Sequence, residues 1–164
     1  MTSAEEHWSY DKILPSDLEL GHAAIEELMT ALGAAGWEGM DLFRIQMAIE
    51  EAVVNAIEHG NKRQIDKKVR LVFQVTLEKA TLVIIDEGAG FDHRNVADPT
   101  TEELLDKPRG RGVMLMRELM NEAFFNERGN QVTMIKLRSV EVPDSDVPDS
   151  DVPDSDVPEG DAPE

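Results

Sequence analysis

The chain has 164 residues, 41% of them apolar, which suits one ordinary domain or one domain followed by a tail. It contains no cysteine, which excludes disulfides, thiolate metal sites and cysteine nucleophiles. The N-terminus has no basic patch followed by an apolar run, and no apolar stretch approaches the roughly 20 residues of a membrane span. We therefore expect a cytoplasmic protein without membrane contact.

The net charge of −18 is concentrated at the C-terminus. Residues 139–164 hold ten acidic and no basic side chains, so the rest of the chain carries a net charge of only −8. Direct nucleic-acid binding is disfavoured, because phosphate contacts need clustered lysine and arginine. The Val-Pro-Asp-Ser-Asp repeat from residue 142 interrupts helices and strand ladders. We predict a domain at 1–138 and a disordered acidic tail at 139–164, which is either a neutral, solubilising expansion or a partner-binding segment.

The first half of the domain has a strand pattern followed by two helical patterns. Residues 7–14 can form an edge strand, and residues 16–19 have the spacing of a capping box at a helix start, with Ser16 as the cap. Apolar residues then recur at helical intervals as far as the glycines at 33–36. A second helix is predicted at 41–58, with Gly60 closing it as a C-terminal cap.

The second half is rich in strands. Residues 69–77 alternate apolar and polar side chains, and residues 81–85 are continuously aliphatic or β-branched. A glycine-rich and charged segment follows, with a weak helical pattern at 102–105. A helix at 112–120 and a hairpin at 124–137 complete the domain. This order predicts an α+β fold in which helices cover one face of a mainly antiparallel sheet.

The second predicted helix carries a first candidate site. Glu51, Asn55 and His59 are spaced four residues apart and therefore share one helical face. Asparagine offers a neutral oxygen to Mg²⁺, and glutamate can accept a proton from a nucleophile. The alternative is the polar side of an ordinary amphipathic helix, and His59 suits packing or capping better than catalysis.

A second candidate site follows an apolar strand. Asp86 stands at the end of that strand, and Gly88 and Gly90 permit close backbone approach to a ligand. An aspartate is a good partner for an exocyclic amine such as that of adenine. The alternative is a plain acidic turn.

A third segment, Arg109, Gly110, Arg111 and Gly112, precedes the next helical pattern. Glycines at a helix start leave backbone N–H groups free to face phosphate oxygens. The alternative is a glycine-rich hinge. The segment lacks the Gly-Lys-Ser/Thr ending of a Walker A loop, the partner motifs of a protein-kinase loop and the βαβ context of a Rossmann site.

In this order the three segments resemble the N, G1 and G2 boxes of the GHKL ATPases. The resemblance is strongest to the anti-sigma-factor serine kinases, because the chain is short and has no dimerisation, phosphoacceptor or transducer domain. It extends over roughly residues 10 to 138, and three ordered boxes make a chance match improbable. It implies the two-layer Bergerat sandwich and a pocket for ATP.

The resemblance also implies roles for individual residues. Asn55 matches the Mg²⁺ ligand, and Glu51 matches the general base that activates a serine hydroxyl. Asp86 matches the acid that binds the adenine amino group. Gly88 and Gly90 match the glycines that let the base lie against the backbone.

In the third box, Gly110 and Gly112 match the glycines that line the phosphates. Residues 92–109 would form a mobile lid over them. Arg109 and Arg111 are candidates for stabilising charge on the transferred phosphoryl group.

The implied function is a serine/threonine protein kinase that uses Mg²⁺ and ATP and acts on a STAS-like anti-sigma antagonist. Such a protein can also sequester a sigma factor, and the resemblance suggests a homodimer through the sheet or the first helix. Two alternatives stay open: a non-catalytic module whose partner affinity is switched by ATP, and a detached histidine-kinase-like ATPase module.

Overall fold

A computed structural model describes residues 7–90 and 108–140, with the backbone alone at 108–110. A π-helical turn at Asn55–Gly60 continues the second helix directly. The other elements, in chain order, are β1 (Trp8–Pro15), α1 (Leu18–Ala34), α2 (Gly39–Val54), β2 (Lys68–Val75), β3 (Lys79–Asp86), α3 (Pro108–Leu119), β4 (Glu122–Phe125) and β5 (Gln131–Leu137).

The five strands form one sheet in the order β1-β2-β3-β5-β4, with every neighbouring pair antiparallel. The predicted edge strand at 7–14 is confirmed as β1. Burial alternates along β2 and β3, so each of these strands has one face in the core and one face away from it. The end of the central strand β3 carries the Asp86 segment.

The helices cover one face of this sheet and share a single core with it. Ile25, Leu28 and Leu32 of α1 are buried, as are Ile45 and Ile49 of α2, at the helical spacing seen in the sequence. They belong to the same cluster as the inward side chains of the sheet, which are Val69, Leu71, Phe73, Val75, Ala80, Leu82, Ile84, Val132 and Met134. The α+β prediction is confirmed.

The start of α1 differs from the prediction by one residue. Asp17, rather than Ser16, is the N-cap, and its Oδ1 accepts hydrogen bonds from the backbone N–H groups of Glu19 and Leu20 at 2.8 and 3.4 Å. The Ser16 hydroxyl instead donates to the carbonyl of Lys67 at 2.7 Å. A long-range contact therefore removes Ser16 from the capping position that its spacing indicated.

Contacts of the domain continue to Ser139, one residue beyond the predicted boundary at 138. The Ser139 N–H and hydroxyl both donate to the buried Asp41 carboxylate at 2.7 Å. Residues 141–164 of the predicted tail lie outside the described residues. None of the helices in the described part of the chain is long and apolar enough to cross a membrane.

Candidate active site

Glu51 and Asn55 stand side by side where α2 meets α3. Both side chains are half-buried. Gly112 of α3 packs directly against them: a Cβ atom at Gly112 would lie 2.7 Å from Asn55 Nδ2 and 2.9 Å from Glu51 Oε2. The fold therefore brings together residues of the first and third candidate segments, which lie about sixty positions apart in the chain.

The predicted α-helix does not continue to Glu58. From Asn55 the chain forms a π-helical turn, in which the Asn61 N–H donates to the Ala56 carbonyl at 2.9 Å. Gly60 is the last residue of this turn and is buried, so the predicted role of Gly60 as a cap is wrong. Such turns are rare, and many of them occur at functional sites.

The reason for glycine at position 60 is contact with the second candidate segment. A Cβ atom at Gly60 would lie 2.5 Å from the Asp86 carboxylate carbon. Asp86 is buried at the end of β3, and its Oδ1 accepts a hydrogen bond from the Gly88 N–H at 2.8 Å. Its main chain is tied to Asn130 by two hydrogen bonds, one in each direction, at 2.9 and 3.1 Å.

Gly88 and Gly90 are packed against protein backbone. A Cβ atom at Gly88 would lie 2.1 Å from the Gly60 carbonyl oxygen, and one at Gly90 would lie 1.9 Å from the Arg128 carbonyl oxygen. Gly90 also has a φ of 78°, which favours glycine. The space that these two glycines leave is thus filled by the π-helical turn and by the β4–β5 hairpin, a different use from the ligand approach that the sequence suggested.

A first cleft, the base cleft, opens between α2, α3 and the sheet. Its walls are mostly apolar, with a few polar groups. They consist of Ala52, Asn55, Ala56, Ile84, Asp86, Met116, Phe125, Gly129, Asn130, Gln131 and Val132. Apolar walls together with the Asp86 carboxylate suit a flat heteroaromatic ring that carries an amino group.

A second cleft, the polar cleft, lies on the other side of Asn55 and encloses about 960 Å³ including its mouth. Its lining combines charged and polar side chains, for which it is named, with apolar ones, and Asn55 lines both clefts. The polar ones are Glu51, Glu58, His59 and Arg111, the apolar ones are Val54, Met114 and Leu115, and Gly112 completes the lining. Carboxylate and carboxamide oxygens are hard donors, and protein-bound Mg²⁺ typically takes one or two such ligands together with phosphate oxygens and water. Glu51 and Asn55 fit that donor set.

The third candidate segment begins a helix earlier than predicted. α3 starts at Pro108, so Arg109 and Gly110 lie in its first turn, whose N–H groups have no acceptor within the helix. Gly112 falls in the second turn, where its absent side chain permits the contact with α2. Arg111 is exposed at the rim of the polar cleft. The first sixteen residues of the predicted lid, 92–107, lie outside the described residues, as does the helical pattern at 102–105.

Sequence reasoning missed Asn61. Its side chain is completely buried, donates to Ser16 Oγ and to the Lys68 carbonyl at 2.9 Å each, and accepts from the Glu87 N–H at 2.8 Å. These partners lie 45, 7 and 26 positions away, so no local pattern marks the residue. Asn61 links the end of β1, the start of β2 and the segment after Asp86.

Comparisons with known proteins identify one family model and several named relatives. The family model of the histidine kinase-like ATPase domain matches residues 14–136. The chain is 28% identical over 131 residues to serine-protein kinase RsbW of Staphylococcus epidermidis, covering 75% of this chain and 82% of the relative. It is 31% identical over 94 residues to an anti-sigma F factor of Clostridium beijerinckii, covering 56% of this chain and 66% of the relative.

A solved structure has a similar fold. The RsbU and RsbW domains of Rv1364c from Mycobacterium tuberculosis superpose with a TM-score of 0.56 at 17% identity. The match covers 81% of this chain and 33% of that longer chain, so this chain spans about a third of its length. At this identity the likeness concerns the fold.

Proposed function

The chain belongs to the histidine kinase-like ATPase domain family, and on this premise we propose that it is a cytoplasmic, ATP-dependent serine/threonine protein kinase of the anti-sigma-factor type. Relatives named serine-protein kinase and anti-sigma factor support the general class. The observation that carries the proposal is the position of Asn55, which lines both clefts, with Glu51 beside it on the same helix.

In this proposal the base cleft holds adenine. The apolar walls stack against the ring, and the buried Asp86 carboxylate accepts a hydrogen bond from the amino group. Asp86 is well suited to this role because the Gly88 N–H fixes one of its oxygens. A fixed acceptor beside apolar walls gives both affinity and selectivity for the base.

The triphosphate would extend past Asn55 into the polar cleft. Asn55 would hold Mg²⁺, with Glu51 in contact with the ion only through water, and the ion when bound neutralises charge on the phosphates. The first-turn N–H groups of Arg109 and Gly110 and the exposed guanidinium of Arg111 supply further positive potential in an acidic chain.

Phosphoryl transfer would then use Glu51 as the general base. The Glu51 carboxylate takes the proton from a partner serine hydroxyl as the serine oxygen bonds to the γ-phosphorus, and the bond to the β-phosphate oxygen breaks to release ADP. The side chain is half-buried and lines the wide polar cleft, so a hydroxyl from another protein can reach it.

We propose a STAS-like antagonist as the protein that presents this serine, and a sigma factor as a second partner. We also propose a homodimer through the outer face of the sheet, the face turned away from the helices. Val72, Val83 and Thr133 lie side by side on this face across β2, β3 and β5. The large apolar side chains of Ile13 and Phe124 are 64% and 51% exposed on the same face.

The kinase proposal is tested with the full chain, Mg-[γ-³²P]ATP and STAS-domain proteins from the same genome. Glu51→Gln should lower the rate of serine labelling by about a hundredfold or more, because it removes the proton acceptor while keeping the shape of the side chain. Glu50→Gln, at the neighbouring position of the same helix, is the matched control and should retain the wild-type rate. Asn55→Ala should abolish labelling by weakening Mg-ATP binding.

Two results would contradict parts of this proposal. Full activity in Glu51→Gln would remove Glu51 from the role of base. A wild-type chain that binds ATP in filter assays but labels no STAS protein would favour the rival function, a module whose partner affinity is switched by ATP without transfer.

A further inference from the structure

We propose that Asn61 is a positioning residue that holds the Asp86 segment in place and thereby sets the selectivity of the site for adenine. The inference rests on the proposed function, because it concerns the same base cleft. Asn61 does not line that cleft. It would act through the backbone of Glu87, the residue next to Asp86.

The contacts of Asn61 fix both ends of its carboxamide. The Lys68 carbonyl can only accept a hydrogen bond, and the Glu87 N–H can only donate one. The Asn61 nitrogen must therefore face Lys68 and its oxygen must face Glu87. A side chain with no exposed surface and both polar atoms engaged has a single orientation.

The residue before Asn61 contacts the same segment. Gly60 packs against the Asp86 carboxylate, and its carbonyl oxygen occupies the space where a Cβ atom of Gly88 would lie. Two consecutive residues at the end of the π-helical turn thus contact three consecutive residues, the last residue of β3 and the two that follow it. Since that turn begins at Asn55, the geometry connects Asn55 to the Asp86 carboxylate, and both residues line the base cleft.

Loss of the Asn61 oxygen would release the Glu87 N–H, which would then turn toward water. The backbone next to Asp86 would move with it, and the carboxylate would lose its fixed position. A hydrogen bond to an exocyclic amino group depends on distance and angle. Recognition of adenine should therefore suffer, while contacts with the ribose and phosphates remain.

The test compares ATP and GTP binding by the full-length chain, using isothermal titration calorimetry. We expect Asn61→Ala to bind ATP about tenfold more weakly than wild type, with GTP affinity unchanged, so that the ratio of the two affinities falls by the same factor. Ser16→Ala is the matched control. It removes the two hydrogen bonds of the Ser16 hydroxyl, to Asn61 and to the Lys67 carbonyl, and keeps the contact between Asn61 and Glu87. It should lower the melting temperature and leave the ATP-to-GTP ratio as in wild type.

Asn61→Asp provides a second variant in case Asn61→Ala does not fold. The aspartate keeps an acceptor for the Glu87 N–H and loses both donors, so we expect lower stability with selectivity retained. The inference is overturned if Asn61→Ala keeps the wild-type ratio, or if Asn61→Asp folds and loses selectivity. A wild-type chain that does not prefer ATP to GTP would contradict the proposed function as well as the inference. A wild-type preference for ATP that Asn61→Ala keeps would contradict the inference alone.

Discussion

At the scale of single residues, Gly112 shows how the absence of a side chain shapes the candidate active site. The positions of Asn55 Nδ2 and Glu51 Oε2 leave no room for a Cβ atom at Gly112. Both atoms are the ends of flexible side chains, so an added methyl group would displace them rather than separate the helices. The effect of a substitution should therefore fall on chemistry more than on folding.

We predict that Gly112→Ala lowers the rate of phosphoryl transfer at least tenfold, through displacement of Asn55 and Glu51 from their proposed roles as Mg²⁺ ligand and base. Its free energy of unfolding should stay within about 1 kcal/mol of wild type, because alanine is favoured over glycine in a helix by about that amount. Single-turnover labelling and urea denaturation measure the two quantities.

Gly33→Ala is the control for this prediction. Gly33 also lies in a helix, and nothing stands within 4 Å of the position of its Cβ atom. It should gain stability with no change in transfer. Equal transfer rates in the two variants would show that the close approach of α3 to Glu51 does not matter for activity.

Sequence analysis identified Glu51, Asn55 and Asp86 but not Asn61, and this difference has a physical cause. Glu51 and Asn55 were predictable as a pair because helical spacing alone puts them on one face, and Asp86 because it ends an apolar strand. Asn61 has partners in β2, at Ser16 and after β3, so its importance arises only from tertiary structure. Reasoning from local pattern finds polar groups that face a cleft more readily than buried ones that hold the cleft in shape.

At the scale of elements, the sequence pattern predicted the three α-helices and five strands that the structure describes in residues 7–90 and 108–140, and the errors occurred at element ends. The second helix becomes π-helical from Asn55 to Gly60, and Gly60 packs against Asp86. Helix propensities contain no information about that tertiary contact. The helix predicted at 112–120 starts at Pro108 instead. Proline is favoured in a first helical turn, a signal that the glycines at 110 and 112 obscured.

The outer face of the sheet carries a prediction about assembly. Val83 lies at the middle of this face, between Val72 and Thr133 on the neighbouring strands. In the proposed dimer, Val83→Lys would bury a charge without a partner, which is strongly unfavourable. We expect wild type to sediment at twice the mass of one chain and Val83→Lys to sediment as a folded monomer.

Gln46→Lys adds the same charge at an exposed position of α2, on the opposite side of the sheet, and should leave the dimer intact. The sheet would be excluded as the interface if Val83→Lys remained dimeric. A wild-type monomer at tens of micromolar would contradict the proposed dimer altogether.

At the scale of the whole molecule, the two ends of α2 have different roles, one in the candidate active site and one in stability. Asn55, at the C-terminal end, belongs to the candidate active site, whereas Asp41, in the first turn, closes the domain. Fourteen residues of α-helix separate them by about 21 Å along the helix axis. Asp41 and Lys136 are buried, with 3.3 Å between Oδ1 and Nζ, and Ser139 donates two hydrogen bonds to the same carboxylate.

This cluster makes stability depend on pH in a definite direction. Burial alone would raise the pKa of Asp41, but the hydrogen bonds from Ser139 and the charge of Lys136 outweigh it and lower that pKa below its ordinary value. The contribution of the ionised carboxylate to stability is therefore complete above the unfolded-state pKa of about 4. It is lost as the pH falls through the lower pKa of the folded state.

We predict that Asp41→Asn lowers the free energy of unfolding at pH 7 by about 3 kcal/mol, because it leaves the Lys136 ammonium buried without a counter-charge. The difference from wild type should shrink as the pH falls below about 4, where wild type also loses the charge. Urea denaturation at a series of pH values measures both effects. ATP affinity of the folded variant should match wild type, since the candidate active site lies at the other end of α2.

Asp11→Asn is the control that distinguishes the effect of burial on stability from the effect of charge pairing alone. The pKa of Asp11 is also lowered, chiefly by a hydrogen bond from Arg70, but within a single chain both side chains are about half exposed and solvent screens the pair, so the comparison with Asp41→Asn is made in the monomeric Val83→Lys background. Its removal should change stability far less than removal of Asp41. If the two variants unfolded at the same urea concentration at pH 7, burial of the Asp41 cluster would not be what stabilises the domain. If they differ as expected, the N-terminal end of α2 is fixed by a buried charge that the candidate active site does not use.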